Sequence, residues 1–316
     1  MKNLRSIKPD LHNPGWQWGT LIILALFWGS SFILMKKGLR SYSHGQVAAF
    51  RIFFSFLFFL PYGLRKLKKI TRNNWRSVLL VAIIGNTLPA FLFTKAQTQI
   101  DSALAGVLNS LAPLFTLIVG ILFYKAKARW INVLGVILGF IGASGLIIVN
   151  PQHIGSFKLS DMNIYGLFVV LATLFYGINA NEIKYKIKDL RGIEITALSF
   201  TIAGPIGLAY LLWSDFSQVT ETGHYLQNLG YVFMLAMFSS VAALSIFYTF
   251  IQYVDPLFAT SVTYLIPVFA IFWGVVDGEQ VLPIQFLFII GILIGVYLVT
   301  KNNNTNSRSY GKEKTQ

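Results

Sequence analysis

Two basic residues, Arg51 and Lys95, interrupt long apolar stretches of the sequence. A charged side chain at the centre of a bilayer costs roughly 2.5 to 3.5 kcal/mol on insertion scales, so a residue of this kind is a candidate for function. If both cations faced one cavity, they would favour a bound molecule with a carboxylate or another anionic group. The alternative is that both long side chains reach a nearby membrane surface. The sequence leaves the two interpretations open.

Amide side chains also occur inside the apolar stretches, at Asn86, Asn109 and Asn179. In lipid such groups need partners within the protein or in water. They predict either hydrogen bonds between helices or polar contacts to a bound molecule. Glu182 is a candidate proton-binding carboxylate, but the nearby Lys184 favours an ion pair at the membrane surface instead.

Aromatic and hydroxyl side chains complete the set of candidates, because aromatic walls with a few polar groups are typical of ligand sites. Trp28 and Ser31 belong to a Trp-Gly-Ser-Ser segment, and Tyr264 precedes a proline within an apolar stretch. The predicted substrate contacts are therefore Trp28, Ser31, Arg51, Asn86, Lys95, Asn109, Asn179, Tyr248 and Tyr264.

Patterns for catalysis or metal binding do not occur in the sequence. Cysteine is absent, and the four histidines are far apart in predicted loops. There is no His-Glu-x-x-His motif, no Gly-x-Ser-x-Gly motif, no phosphate-binding loop of the Walker type and no acidic pair inside an apolar stretch. We therefore predict no enzymatic activity, no metal and no cofactor.

The composition predicts an all-α integral membrane protein. Of the 316 residues, 55% are hydrophobic and 12% are charged, compared with about 25% charged residues in soluble domains. A membrane-spanning helix needs roughly 20 apolar residues. Ten stretches of about that length are present, at 16–35, 47–64, 78–95, 102–124, 131–149, 164–183, 195–213, 229–252, 256–276 and 283–300.

The net charge of +14 comes from basic clusters between these stretches, such as Arg65 to Arg76. Nearly all basic loop residues fall on one side of a ten-span arrangement, which predicts cytoplasmic termini. The lipid bilayer thus explains the charge without a nucleic-acid partner. Residues 1–15 are predicted to be a cytoplasmic segment and residues 301–316 a cytoplasmic disordered tail.

The two halves of the sequence resemble each other. When Asp101 is aligned with Asp255, Pro113 aligns with Pro267, and both prolines are predicted to break the helices that contain them. Residues 16–150 and 151–300 therefore form two predicted repeats of five helices each. Because five is odd, the second repeat is inverted relative to the first, which offers two near-equivalent states, one open to each side of the membrane.

These features together resemble the drug/metabolite transporter superfamily, in particular its ten-helix EamA-type members, from about Trp18 to Thr300. The resemblance rests on the segments ALFWGSSFILMKKGL, AAFRIFFSFL, LNSLAPLFT, TYLIPVFA and GILIGVYL, in this order within the repeat. It implies a secondary carrier of the cell inner membrane that moves amino acids, related metabolites or drug-like molecules, often outward, by alternating access through a central cavity formed by both repeats. A channel, a non-transporting membrane protein and a membrane-embedded enzyme are the alternatives.

Small residues recur at helical spacing in two of the predicted helices, as Gly135 with Gly139 and Gly291 with Gly295. Such pairs allow helices to approach closely. They predict contact within one chain, with a homodimer as the alternative.

Overall fold

The computed structural model describes residues 13–100, 102–127, 129–148, 164–217, 219, 223–276 and 283–300. These residues form helices, turns and loops, with no strand among them. The predicted tail at 301–316, most of the predicted segment at 1–15, and Asp101 lie outside the described residues.

Fourteen α-helices follow one another along the described chain. They are α1 (Pro14–Gly38), α2 (His44–Lys66), α3 (Trp75–Leu80), α4 (Leu88–Ala96), α5 (Ser102–Asn109), α6 (Ala112–Tyr124), α7 (Trp130–Ile148), α8 (Ile164–Tyr185), α9 (Gly192–Trp213), α10 (Tyr225–Leu235), α11 (Ala243–Tyr253), α12 (Pro256–Thr260), α13 (Val262–Val276) and α14 (Pro283–Thr300).

Two π-helical segments join four of these helices into longer rods. Val81–Thr87 connects α3 to α4, and Ala236–Ala242 connects α10 to α11. A π segment holds an extra residue in the helical turn and is common at functional sites. The two rods therefore carry a similar irregularity at a similar place.

Helical segments fall on each of the ten predicted stretches. Within the described chain, six helical stretches are long and apolar enough to cross a membrane. Four shorter apolar helices accompany them: Ala112–Tyr124, Trp130–Gly145, Pro256–Phe269 and Phe286–Val299. The all-helical, membrane-type fold is thus as predicted.

Local capping explains several helix starts. Pro14 and Pro256 each occupy a first helical position, where a missing N–H costs nothing. The side chain of Asp255 accepts a hydrogen bond from the backbone of Leu257 at 2.9 Å, as is typical of an N-cap aspartate. Ser43 and Gln46 form a reciprocal capping box at the start of α2.

Two further helical stretches, α5 with α6 and α12 with α13, are interrupted by short non-helical breaks and not by π segments. One break separates α5 from α6, and Pro113 is the second residue of α6. A proline is tolerated there because the first turn of a helix lacks internal partners for its N–H groups. The other break falls at Ser261, between α12 and α13.

The prediction that Pro267 breaks its helix is wrong, because α13 continues through this residue. The chain turns earlier, where side-chain hydroxyls bind the backbone carbonyls. Ser261 donates to Phe258 O at 2.6 Å and Thr263 donates to Thr260 O at 3.0 Å. These local bonds satisfy carbonyls that an apolar environment would leave unpaired.

Helices α7 and α14 approach each other closely at their glycines. A Cβ atom on Gly295 would lie 2.6 Å from the backbone nitrogen of Gly139, and one on Gly135 would lie 2.8 Å from Gly295 O. Close contact within one chain is therefore confirmed for these three glycines. Gly291 has open space beside it instead.

Candidate functional site

A cavity lies about halfway along the helices. Its volume is about 80 Å³, which is enough for several water molecules. Both π segments and both helix breaks contribute to its wall, together with α1, α2, α8 and α9. Six predicted contacts line it: Trp28, Ser31, Arg51, Asn86, Asn109 and Asn179.

Arg51 is the charged residue among the described residues of the cavity wall. It lies on α2, seven residues or about 10 Å beyond His44 at the start of that helix. Its Nε donates a hydrogen bond to Ser240 Oγ at 2.7 Å, and its Nη2 donates one to Ser239 Oγ at 3.1 Å. Within the described chain, Glu194 is the only carboxylate in a salt bridge, with lysines of another region. Among the described residues, the positive charge of Arg51 therefore has no acidic partner.

Ser239 also connects Arg51 to Trp28. The indole nitrogen of Trp28 donates a hydrogen bond to Ser239 O at 3.2 Å, in the π segment where the normal pattern of backbone bonds changes. The Trp28 ring packs edge-on against Phe247, with ring centroids 5.1 Å apart. Ser31 donates to Trp28 O at 2.6 Å. These contacts fix the orientation of the indole ring at the cavity.

A chain of buried hydrogen bonds lies behind one wall. Tyr248 donates its hydroxyl proton to Asn86 Oδ1 at 2.8 Å, and Asn179 Nδ2 donates to the Tyr248 hydroxyl at 3.3 Å. Asn86 in turn donates to Ser199 Oγ at 2.9 Å. The chain links the first π segment to α8, α9 and α11, so it holds Asn86 in place.

Two amide oxygens of the wall have no hydrogen-bond partner among the described residues. They are Asn109 Oδ1, at the end of α5, and Asn179 Oδ1, on α8. Both side chains are at most 5% exposed. A buried acceptor without a partner destabilises the protein by about 1 to 3 kcal/mol. A bound molecule that donates a hydrogen bond to either oxygen would remove this cost.

Three predicted contacts do not line the cavity. The ammonium group of Lys95 lies 5.7 Å from the centre of the Tyr165 ring, near the start of α8. Of the two interpretations that the sequence left open, a cavity shared by Lys95 and Arg51 is therefore not the one found, because Arg51 alone of the two lines the cavity. Tyr264 is buried against Gly139 and donates to Val136 O at 3.0 Å. Tyr248 lies one layer behind the wall and acts through Asn86 and Asn179.

The structure adds wall residues that the set of predicted contacts omits. Tyr176 stacks on Phe93, with ring centroids 5.9 Å apart, and both line the cavity. Ser239 and Ser240 also line it. The internal repeat contains a signal for one of them, because the alignment that pairs Asp101 with Asp255 pairs Asn86 with Ser240.

Polar contacts also gather at one end of the molecule, which we call the basic end and define by Lys66, Lys69, Asn74, Asp189 and Glu194. Lys69 donates to Glu194 Oε1 at 2.9 Å, and Lys66 lies 3.3 Å from the same oxygen. Asn74 donates to Asp189 Oδ2 at 2.6 Å. Each acid at this end thus has a donor.

Glu182 lies just inside the basic end. It is 8% exposed, accepts a hydrogen bond from Ser77 Oγ at 2.5 Å and accepts a second one from the Tyr124 hydroxyl. Lys184 donates instead to Gln252 O at 2.9 Å. The expected surface ion pair between Glu182 and Lys184 is therefore wrong, and the carboxylate joins α3, α6 and α8.

Asp255 is also close to the basic end, just after α11. Burial raises the pKa of its carboxyl above the ordinary value, although the Leu257 N–H and the Lys184 charge act in the opposite direction. Among the described residues, no group of three or more histidine, aspartate and glutamate side chains could hold a metal ion.

A family model matches most of the chain. The model of the EamA-like transporter family covers residues 17–148 and 163–301. The chain belongs to the EamA-like transporter family. Membership of this family, together with the apolar helices, makes the chain a multi-pass membrane protein of a transporter family.

Three relatives of this EamA-like chain each cover about nine-tenths of it, and two of them are named as transporters. It is 24% identical over 287 residues to an uncharacterized transporter of Archaeoglobus fulgidus, covering 90% of this chain and 99% of the relative. It is 29% identical over 297 residues to the uncharacterized inner membrane transporter YedA of Escherichia coli K12, covering 89% and 90%. Protein PagO of Salmonella typhimurium is 20% identical over 293 residues, covering 91% and 94%.

A solved crystal structure has the same fold as this EamA-like chain. The TM-score is 0.70 with 15% sequence identity, over 93% of this chain and 99% of the other. At this identity the likeness shows the fold alone. The relatives and the family point to a transporter rather than an enzyme.

Proposed function

We propose that this EamA-like protein is a secondary carrier that exports a small metabolite, an amino acid or a related compound, across the inner membrane by alternating access. The observation that carries the proposal is the cavity halfway along the helices. Its wall combines the two π segments with the two helix breaks. Irregular backbone at membrane depth is tolerated where it lines a cavity, and carriers bind substrates there.

The proposal includes ten spans arranged as two inverted repeats, 16–150 and 151–300. Each proposed repeat contains one π segment and one broken helix, at comparable places in the chain. The family model matches over 17–148 and 163–301, close to the proposed repeats. These similarities support a pair of related units that form the cavity together.

Contacts between the proposed repeats occur at both ends of the molecule. At the basic end, Lys69 binds Glu194 and Ser77 binds Glu182. At the opposite end, Gln46 donates to Asp215 O at 2.7 Å. Alternating access requires one set to open while the other stays closed, and separate contacts at each end fit this requirement.

The proposal places the basic end in the cytoplasm, together with both termini. Lys66 and Lys69 lie at this end, and short cytoplasmic loops carry an excess of lysine and arginine. YedA is named as an inner membrane transporter, which supports the same membrane for this chain. A homodimer stays a prediction.

Counterflow in proteoliposomes tests the carrier mechanism. Vesicles that contain the purified protein are loaded with an unlabelled amino acid and diluted into a trace of the same labelled compound. A carrier accumulates the label transiently, because it exchanges bound substrate across the membrane. Simple equilibration without overshoot indicates a pore, and no uptake of any compound in a broad metabolite panel contradicts the proposal.

A further inference from the structure

An open pocket of about 510 Å³ lies beside the salt bridges of the basic end. Its wall is formed by the loop between α8 and α9, the last turns of α8 and α11, and the first turn of α9. We call it the second pocket and define it by Lys184, Lys188, Arg191 and Tyr253. It shares no lining residue with the central cavity, so it is a separate site from the one proposed for transport.

The second pocket lies at a common end of three stretches that are long and apolar enough to cross a membrane. Two of these, Tyr165–Tyr185 and Tyr225–Tyr253, finish at the pocket, and the third, Gly192–Trp213, begins there. Tyr253 is 50% exposed beside the charged groups, and Ile193 on α9 is 43% exposed. Tyrosine is enriched where the hydrocarbon of a bilayer meets the lipid headgroups. The pocket is therefore at headgroup depth, with apolar surface next to charge.

The acids that line the second pocket have partners in the protein. The carboxylate of Glu194 binds Lys69 and Lys66. Asp189 Oδ2 accepts a hydrogen bond from Asn74 at 2.6 Å. Both acids therefore repel a bound anion less than carboxylates without donors would.

Three basic side chains of the same pocket are not matched in this way. Lys184, Lys188 and Arg191 form no salt bridge with the acids that the structure describes. Lys184 is half-buried and uses one of its three N–H groups for Gln252 O at 2.9 Å, while Asp255 attracts it without forming a salt bridge. Lys188 and Arg191 are exposed. The pocket therefore has a surplus of positive charge and of hydrogen-bond donors.

A phosphate group has the charge and the acceptors that these cations would bind, since arginine and lysine form charge-assisted hydrogen bonds with phosphate oxygens. A soluble phosphate and a lipid headgroup share this chemistry. The depth of the pocket favours the lipid, because Tyr253 and Ile193 offer apolar surface to acyl chains. The surplus of bases favours an anionic headgroup over a zwitterionic one, whose ammonium group would meet the same cations. Basic pockets between membrane helices bind anionic headgroups in this way.

We propose that the second pocket binds the phosphate of an anionic phospholipid from the leaflet that surrounds the basic end. Lys188 and Arg191 bind the phosphate oxygens from the rim, and Lys184 binds them from the floor. The acyl chains lie against Tyr253 and Ile193. The bound lipid connects the loop between α8 and α9 to the end of α11, and it is separate from the transported molecule.

Lys68 and Arg72 provide a matched control. Both are exposed in the segment between α2 and α3, and neither lines the second pocket. Removal of these two charges changes the net charge of the protein as much as removal of Lys188 and Arg191 does. A loss of lipid binding that is specific to the second pair therefore reports contact in the pocket and not general attraction to the surface.

The test measures lipid binding to the full-length protein in a neutral detergent by native mass spectrometry, which resolves each bound lipid molecule. The probes are dioleoyl phosphatidylglycerol, dioleoyl phosphatidylcholine, glycerol phosphate and inorganic phosphate. One molecule of phosphatidylglycerol should bind roughly tenfold or more tightly than phosphatidylcholine, because its headgroup has no ammonium group. Glycerol phosphate and inorganic phosphate should bind roughly a hundredfold or more weakly than phosphatidylglycerol, since they lack acyl chains.

Variants then locate the contacts. Lys188→Gln with Arg191→Gln should weaken phosphatidylglycerol binding about thirtyfold, the effect of two basic residues near an anionic surface. Lys188→Gln alone changes one loop residue outside the helices and should weaken it about fivefold. Lys68→Gln with Arg72→Gln should bind the lipid as the unaltered protein does. The melting temperature without added lipid should be the same for all of these proteins, which checks that each variant folds.

Three outcomes would overturn the inference. Equal affinity for phosphatidylglycerol and phosphatidylcholine would show that the surplus charge does not select the headgroup. Equal losses in the two double variants would show general attraction to the surface. Binding of inorganic phosphate as tight as that of phosphatidylglycerol would assign the pocket to a soluble anion and not to a lipid.

Discussion

The cavity wall and the basic end differ in how completely their polar groups are matched. At the basic end, Glu194 has two lysines and Glu182 has two hydroxyl donors. In the wall, Arg51 lacks an acid and two asparagine oxygens lack donors among the described residues. Polar groups with partners stabilise the fold, whereas polar groups without partners gain free energy when a ligand supplies the missing hydrogen bond or charge. The comparison thus separates residues that hold the fold from residues that bind.

Substitution of Arg51 by Met should separate binding from stability most strongly. Amino-acid counterflow should fall about a hundredfold, because the charge-assisted bonds to the substrate are lost. The melting temperature should stay unchanged or rise, since removal of a half-buried charge without an acidic partner among the described residues relieves its desolvation cost. Transport assays and thermal unfolding of the same preparation check both. A large fall in melting temperature would mean that Arg51 holds the fold.

Replacement of Glu182 by Leu should have the opposite effect. The hydroxyls of Ser77 and Tyr124 would be left without their acceptor, which costs about 1 to 3 kcal/mol of stability. The measurement is thermal unfolding in detergent. Glu182→Gln is the control, because its amide oxygen still accepts one hydroxyl and should keep part of the stability. If Glu182→Leu unfolds at the original temperature, the carboxylate is not a structural link.

Glu194→Gln should cause a smaller loss, of about 1 kcal/mol. The carboxylate is only 2% exposed, but its partners Lys66 and Lys69 are 30% and 42% exposed, so water screens the pairs. Unfolding at low and high salt provides the check. Salt should narrow the difference between variant and original protein, and a difference that salt leaves intact would contradict an ionic origin.

Lys95→Met should have the smallest effect. The lysine contributes one contact with the Tyr165 ring, in which both residues are half-buried, worth about 0.5 to 1 kcal/mol. Both counterflow and melting temperature should remain close to the original values. A strong loss of counterflow in this variant would show that a cation outside the cavity wall recognises the substrate, and the comparison between the two regions would have to include it.

Patterns of single residues predicted much of the fold. Apolar runs located the long helical stretches of the described chain, and the glycine spacing predicted close helix contact within one chain, which α7 and α14 make. The place of Arg51 within an apolar run made it a candidate for the cavity but left a position at the membrane surface equally open. These features depend on local composition, because a membrane helix must satisfy its own backbone and be apolar over a fixed length.

The direction in which individual side chains point from their helices was less predictable. Each residue turns a helix by about 100°, so the extra residue of a π segment redirects all that follow it. Nothing in the hydropathy of Ala236–Ala242 marks it as a π segment, and Ser239 and Ser240 were missed as partners of Arg51. Tyr264 and Glu182 were misplaced for a related reason, since contacts with distant helices decide which way they face.

The most direct test of alternating access uses a single thiol in the cavity wall. The chain has no cysteine, so Ser31→Cys provides the only one. Its reaction with a membrane-impermeant maleimide is measured from each side of oriented vesicles, with and without substrate. Lys188→Cys, at an exposed position near the basic end, is the control and should react from one side only. Alternating access predicts that substrate raises the Ser31→Cys rate on one side while it lowers the rate on the other. Equal reactivity from both sides without such a reciprocal change, or reactivity from one side under all conditions, would contradict a carrier.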